Sequence, residues 1–131
     1  MNNIQEQNTL FESIKHIDEN GNDYWLAREL QVALEYTQWR RFENAINKAI
    51  EACKNSNLCV DEHFANVGKL SKRSNNAVVE ISDYKLSRYA CYLIAQNGDS
   101  RKKVIAEAQT YFAIQTRKME LTEKDTKNKL M

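Results

Sequence analysis

The clearest pattern of hydrophobic and polar positions lies between residues 42 and 53, where apolar side chains recur every three or four residues. That spacing places them on one face of a helix. A shorter stretch of the same kind covers residues 27–34. The polar break between the two, with Thr37 as the expected N-cap, predicts a helix–turn–helix corner.

Shorter elements are predicted on both sides of this corner. Apolar positions within residues 10–17 predict a short helix, which ends in a polar turn containing Gly21. Residues 24–26 predict a very short strand. Residues 64–70 and 77–81 lose the helical period, and together they predict a β-hairpin with a polar, basic tip.

Two amphipathic helices are predicted in the last third of the chain. Apolar residues between 86 and 94 form one stripe, with Ser82 or Asp83 as the expected N-cap. Gly98 is expected to end this helix as its C′ residue. A second stripe, within residues 105–119, predicts the last helix.

These elements predict an α+β fold that is mainly helical with a small β-hairpin or sheet. A winged-helix-like arrangement follows if the hairpin packs beside the helices. The composition agrees, because a chain of 131 residues with no proline and three glycines lacks the many special turns of a sandwich or barrel. We expect one domain over residues 9–121, with flexible tails at residues 1–8 and 122–131.

The chain shows no signal for a membrane or for export. No apolar run approaches the roughly 18 residues that a membrane span needs. The N-terminal residues lack a basic segment followed by an apolar one, which a secretory signal requires. We therefore expect a cytoplasmic protein.

Catalytic and metal-binding signatures are absent from the sequence. The three cysteines are odd in number and lack metal-ligand spacing, which is typical of reduced, buried thiols. No phosphate-binding glycine loop, nucleophile elbow or zinc-protease motif is present. Residues 61–63, Asp-Glu-His, could hold a metal or move protons, or simply form a loop or helix start. We expect no enzyme, no cofactor and no metal.

Charge is distributed unevenly along the chain. Residues 1–66 carry six basic and eleven acidic side chains, whereas residues 67–131 carry thirteen and seven, so the net charge changes from −5 to +6. This asymmetry predicts a basic face in the second half that could attract nucleic acid. The alternative is ordinary solubilising lysine.

Three groups of basic and amide side chains are candidates for nucleic-acid contact, since such side chains bind phosphates and base edges. The first lies on the second helix of the corner and comprises Arg40, Arg41, Asn44 and Lys48. The second lies at the hairpin tip and comprises Lys69, Lys72 and Arg73. The third is expected in the first turn of the last helix, where cations oppose the helix dipole, and comprises Arg101, Lys102 and Lys103. For each group the alternative is a solvated surface.

A family resemblance is carried by four segments in order. Residues 86–121, LSRYACYLIAQNGDSRKKVIAEAQTYFAIQTRKMEL, closely resemble the DNA-damage-inducible protein D family of bacteria. The same holds for FESIKHI, ARELQVALEYTQWRRFENAINKAIEACKNS and DEHF. More distantly, WLARELQVALEY followed by a hairpin and two helices is similar to the N-terminal domain of viral Bro proteins and phage antirepressors.

The resemblance implies a non-catalytic, nucleic-acid-associated domain linked to the DNA-damage (SOS) response. It also implies a C-terminal region beyond this chain, and it transfers no binding residues. The leading hypothesis is a module that binds single- or double-stranded DNA or modulates recombination and repair. The alternative is an antirepressor-like module that binds a repair protein or a second copy of itself. Its contacts would come from exposed aromatic rings, with Trp39, Tyr84 and Tyr92 the first to examine.

Overall fold

The structure of the chain, a computed structural model, describes the backbone of residues 10–130 and the side chains of residues 10–117. It begins with a helical turn at residues 10–13, α1. The elements that follow are β1 (His16–Ile17), β2 (Asp23–Leu26), α2 (Ala27–Ala33), α3 (Trp39–Asn55), α4 (Val60–His63), β3 (Phe64–Lys72), β4 (Val78–Leu86), α5 (Arg88–Gln96) and α6 (Lys103–Leu130). The predicted α+β class is confirmed.

The four strands form one antiparallel sheet in the order β1-β2-β4-β3. The β3–β4 register runs without interruption from the pair Phe64↔Leu86 to the pair Lys72↔Val78. Strand β2 pairs with only the last two residues of β4. The outer part of the hairpin, residues 66–82, therefore extends past the rest of the sheet, and we call it the arm.

The core lies where the sheet base meets the helices. Trp25 of β2 is fully buried, and its indole Nε1 donates a hydrogen bond to the Phe11 carbonyl at 2.9 Å. The Trp25 ring packs edge-on against Phe112 of α6, with 5.1 Å between ring centroids. Helix α3 contributes the apolar face that its spacing predicted, namely Phe42, Ala45, Ile46, Ala49 and Cys53.

Two predicted helix caps are wrong. Gln38, and not Thr37, occupies the N-cap of α3, and it makes no side-chain capping bond. Strand β4 continues to Leu86, so Ser82 and Asp83 lie inside a strand. The N-cap of α5 is Ser87, whose hydroxyl accepts the Ala90 amide at 3.0 Å. Pairing with β2 and β3 extends β4 beyond the point where its own apolar pattern ended.

Glycine acts differently at the two turns where it was predicted to matter. Gly21 has a φ of +82°, as expected for the turn between β1 and β2. Gly98 follows the C-cap Asn97 and so occupies the predicted C′ position, but it does not adopt the left-handed conformation. A Cβ at Gly98 would lie 2.8 Å from Cγ2 of Ile105, so the absence of a side chain lets α5 and α6 pack closely.

The ends of the chain differ in part from expectation. The first helix ends at residue 13, and Ile17 lies in β1 with 63% of its surface exposed. Helix α6 continues to Leu130, through residues expected to lie in a tail. The side chain of Met119, at the end of the predicted second stripe, and the predicted tail at residues 1–8 lie outside what the structure describes, and the domain limits remain predictions. No helix within residues 10–130 is long and apolar enough to cross a bilayer.

Candidate nucleic-acid interface

Helix α3 presents a polar face opposite its buried one. Arg40, Arg41, Asn44 and Lys48 are all exposed, and the helical period brings them to one side; we call them the α3 basic face. Within the described part of the chain, the three cations of this face have no carboxylate oxygen within 4.0 Å. Their charge is therefore available to an external anion.

The arm carries the second predicted group, Lys69, Lys72 and Arg73, and all three are exposed. Its tip is closed by the Arg73 amide, which donates to the Ala77 carbonyl at 2.8 Å. The amide of Ala77 in turn donates to the side chain of Asn75 at 3.1 Å. Alternation along the strand places Lys69 and Lys72 on opposite faces of the arm. Across residues 10–117, these three cations also lack an ion-pair partner.

Arg28, near the start of α2, connects the arm to α3. Its Nε donates to the Ser82 carbonyl at 2.8 Å. Its guanidinium carbon lies 3.7 Å from the centroid of the Trp39 ring, and Trp39 is the first residue of α3. The base of the arm and the beginning of the α3 basic face are therefore neighbours.

The third predicted group lies at the corner between α5 and α6, and only Lys103 lies in the first turn of the last helix as predicted. Helix α6 begins at Lys103, so Arg101 and Lys102 precede it. Arg101 binds both carboxylate oxygens of Asp99 at 3.0 Å. This hydrogen bonding lowers the pKa of the Asp99 carboxyl. Lys103 Nζ lies 3.9 Å from Oε1 of Glu107. Two of the three corner cations are thus paired within the chain.

The corner nevertheless lies close to the turn between α2 and α3. Nζ of Lys102 is 5.8 Å from the centroid of the Tyr36 ring. Burial of Tyr36 is the main cause that raises the pKa of its hydroxyl, and the nearby negative charge of Asp99 raises it further. Tyr36 lies four residues before Arg40, in the turn that leads into α3. The corner therefore lies near the beginning of the α3 basic face.

An open groove of about 800 Å³ lies against the base of the sheet and the beginning of α5. His63 Nδ1 and the Ser87 hydroxyl lie 2.7 Å apart across its wall, but that hydroxyl already caps α5. Arg88 pairs with Asp23, and Lys85 Nζ lies 3.7 Å from the Asp18 carboxylate. Within residues 10–117, no three potential ligands are grouped so that they could hold a metal ion.

Residues 61–63 line this groove and lie in α4, a one-turn helix that begins at Val60. Sequence reasoning missed the polar contacts of this groove and the Arg28 connection. Neither leaves a local signal in the sequence, because both depend on contacts between distant segments. The Arg28–Ser82 contact, for example, joins residues 54 positions apart. The three aromatic rings singled out as candidates for a protein contact, Trp39, Tyr84 and Tyr92, are all partly buried against the core.

Residues 13–113 match the profile described as the BRO family, N-terminal domain. This match covers well over half of the chain. The chain belongs to the BRO family. Over 120 residues it is 47% identical to DNA damage-inducible protein D of Escherichia coli (strain K12), an alignment that covers 92% of this chain. This BRO-family chain spans 44% of the length of that relative. No solved structure matches it. The family match and this relative confirm the resemblance to DNA-damage-inducible protein D and to Bro N-terminal domains that the sequence showed.

Proposed function

We propose that this domain binds nucleic acid through the α3 basic face and the arm, without catalysing a reaction. One contrast carries the proposal. The six cations of these two surfaces have no carboxylate partner among the described side chains. Elsewhere among the described side chains, carboxylates pair with Lys15, Lys85, Arg88, Arg101 and Lys103, whereas Arg28, Lys54 and Lys102 have no such pair.

The two surfaces suit complementary contacts with a nucleic acid. Arg and Lys side chains neutralise phosphates, which supplies most of the sequence-independent affinity. An exposed helix and a two-stranded ribbon are both shapes that fit a groove of duplex DNA. Asn44, between the cations of α3, adds an amide that can pair with an adenine edge.

The relative indicates the cellular setting. Its name describes a DNA damage-inducible protein, and its source is a bacterium. We therefore propose that this domain acts in the bacterial cytoplasm during the DNA-damage response. Its partner there is DNA itself, in single- or double-stranded form, or DNA held by a repair or recombination protein.

The test is a salt titration of binding to labelled single- and double-stranded oligonucleotides, followed by fluorescence anisotropy. One variant replaces Arg40, Arg41 and Lys48 with alanine. A matched control removes the same charge at the corner, with Arg101, Lys102 and Lys103 replaced by alanine. The α3 variant is expected to lose more affinity than the control. The salt slope, which is the slope of the logarithm of the binding constant against the logarithm of the salt concentration, should decrease in magnitude on the duplex by about 0.9 for each phosphate contact removed.

Two results would reject this proposal. Absence of binding to both oligonucleotides at about 50 mM salt, where phosphate contacts are strong, would exclude direct nucleic-acid binding by the domain. Equal losses in the two variants would show that binding follows net charge alone and does not use the α3 basic face.

A second candidate function, a protein–protein module, is favoured by an apolar pair on the arm. Leu70 and Val78 expose 73% and 62% of their surface. Because Val78 pairs with Lys72, two residues after Leu70, the two apolar side chains share one face of the arm. If a second copy binds there, Leu70→Ser will abolish a concentration-dependent dimer in sedimentation analysis. A monomer at all concentrations would exclude the homodimer.

A further inference from the structure

The arm is joined to the body of the domain over a short boundary. Strand β2 pairs with β4 only at Trp25↔Leu86 and Leu26↔Lys85. Beyond that point β4 pairs with β3 alone. Among the described residues, one side-chain hydrogen bond connects residues 66–82 to another element, and Arg28 donates it.

Arg28 is fixed from three directions at this boundary. Its amide donates to Oδ1 of Asp83 at 3.0 Å, and Asp83 is 3% exposed. Its Nε donates to the Ser82 carbonyl, and its guanidinium carbon lies over the Trp39 ring, 3.7 Å from the ring centroid. A planar guanidinium can stack and donate at the same time, which an ammonium group cannot do.

These contacts commit Nε and one face of the Arg28 guanidinium to the domain itself. The side chain is half-buried, one face of its guanidinium is covered by Trp39, and Nε already has an acceptor. The cations next to the two contacts of Arg28 are exposed instead. The α3 basic face starts at Arg40, one residue after Trp39. On the arm, Lys69 pairs with Ile81, which directly precedes Ser82. Arg28 therefore acts through the surfaces that it joins.

We propose that Arg28 is a positioning residue that holds the arm at a fixed angle to the α3 basic face, so that both contact one phosphodiester backbone at once. This inference rests on the proposed function. Two weak contact groups held rigidly together bind more tightly than the same groups on a mobile connection, since the second contact is then made at high effective concentration.

The salt slope of binding separates this role from a merely structural one. The slope counts the phosphates neutralised in the complex. A variant that only lowers the folded fraction reduces the amount of binding protein and leaves the slope unchanged. A variant that releases the arm loses the arm's share of the phosphate contacts, so its slope falls.

The experiment compares three variants with the wild-type domain on the same labelled duplex and single strand. The first is Arg28→Ala, the second is Arg28→Lys, and the third is an arm variant with Lys69, Lys72 and Arg73 replaced by alanine. Arg28→Ala is expected to lower the slope as far as the arm variant does, and combining the two is expected to lower it no further. Arg28→Lys keeps the charge but cannot stack and donate together, so it is expected to behave like Arg28→Ala.

Trp39→Phe provides an independent route to the same geometry, because it shrinks the ring under the guanidinium and leaves Arg28 in place. It is expected to lower the slope by less than Arg28→Ala. Three results would overturn the inference: a wild-type slope in Arg28→Ala when the arm variant has a reduced one, additive losses on combining them, or recovery of the slope in Arg28→Lys. Recovery would mean that Arg28 itself contacts a phosphate. Failure of the wild-type domain to bind either strand form would instead reject the proposed function.

Discussion

Replacing Asp83 with alanine should destabilise the domain strongly, since this carboxylate is buried where the arm meets α2. Among side chains that the structure describes, Asp83 is the buried charged one, at 3% exposure. Its Oδ1 accepts the amides of Arg28 at 3.0 Å and Tyr84 at 2.9 Å. It thus satisfies an amide at the N-terminus of α2 from a strand 55 residues away.

The magnitude follows from those two bonds. Each amide left without a partner on removal of a buried acceptor costs about 1–3 kcal/mol, so Asp83→Ala should lower the free energy of unfolding by about 3 kcal/mol. Asp83→Asn keeps an acceptor oxygen in the same place and loses only the charge, so it should cost about 1–2 kcal/mol.

Urea unfolding at neutral pH, followed by tryptophan fluorescence, measures both variants against the wild-type domain. The slope of free energy against urea should stay unchanged, because the surface exposed on unfolding is the same. A loss below about 0.5 kcal/mol in Asp83→Ala, within the range of ordinary surface changes, would refute the reasoning. So would equal losses in the two variants, because the acceptor oxygen would then carry none of the stability.

Two further predictions concern the turns. Gly98→Ala should lower stability by about 1–3 kcal/mol in a thermal melt, since the added Cβ would overpack against buried Ile105. An unchanged melting temperature would contradict this close packing. The backbone amides of Asn22 and Asn20 lower the pKa of the Asp18 carboxyl below its usual 3.8. The resulting stabilisation is present above about pH 4 and is lost as the pH falls through the lower folded-state pKa, so Asp18→Asn should reduce the loss of stability in acid. A parallel pH profile in the two proteins would show no such contribution.

Much of the fold could be predicted because its signals are local. The apolar face of α3 follows from spacing alone, and the hairpin follows from the loss of that spacing around a polar tip. The predictions of the helix caps were wrong because the caps depend on pairing between distant segments. Residues 82 and 83 look like a helix start, but pairing with β2 and β3 keeps β4 extended to Leu86, and Ser87 then supplies the cap.

In the candidate site, too, local features could be predicted from the sequence and long-range contacts could not. Basic side chains on one helix face or at one hairpin tip are visible in the sequence, and both groups are exposed as expected. Whether a cation is already paired is not visible there, which is why the three corner cations looked equivalent to the others. The contact of Arg28 with Ser82 and Trp39 depends on the folded chain, so no periodicity or spacing could indicate it.

The most direct test of the central claim is a map of the bound surface on the protein itself. Amide chemical shifts of the ¹⁵N-labelled domain should be recorded during titration with a short DNA duplex, and again with a single strand. Perturbed amides are expected in residues 40–48 of α3 and residues 69–73 of the arm, and these changes should weaken together as salt is added. Changes confined to residues 99–103 or to the groove at Ser87 and Arg88, or no change with either DNA, would contradict the claim.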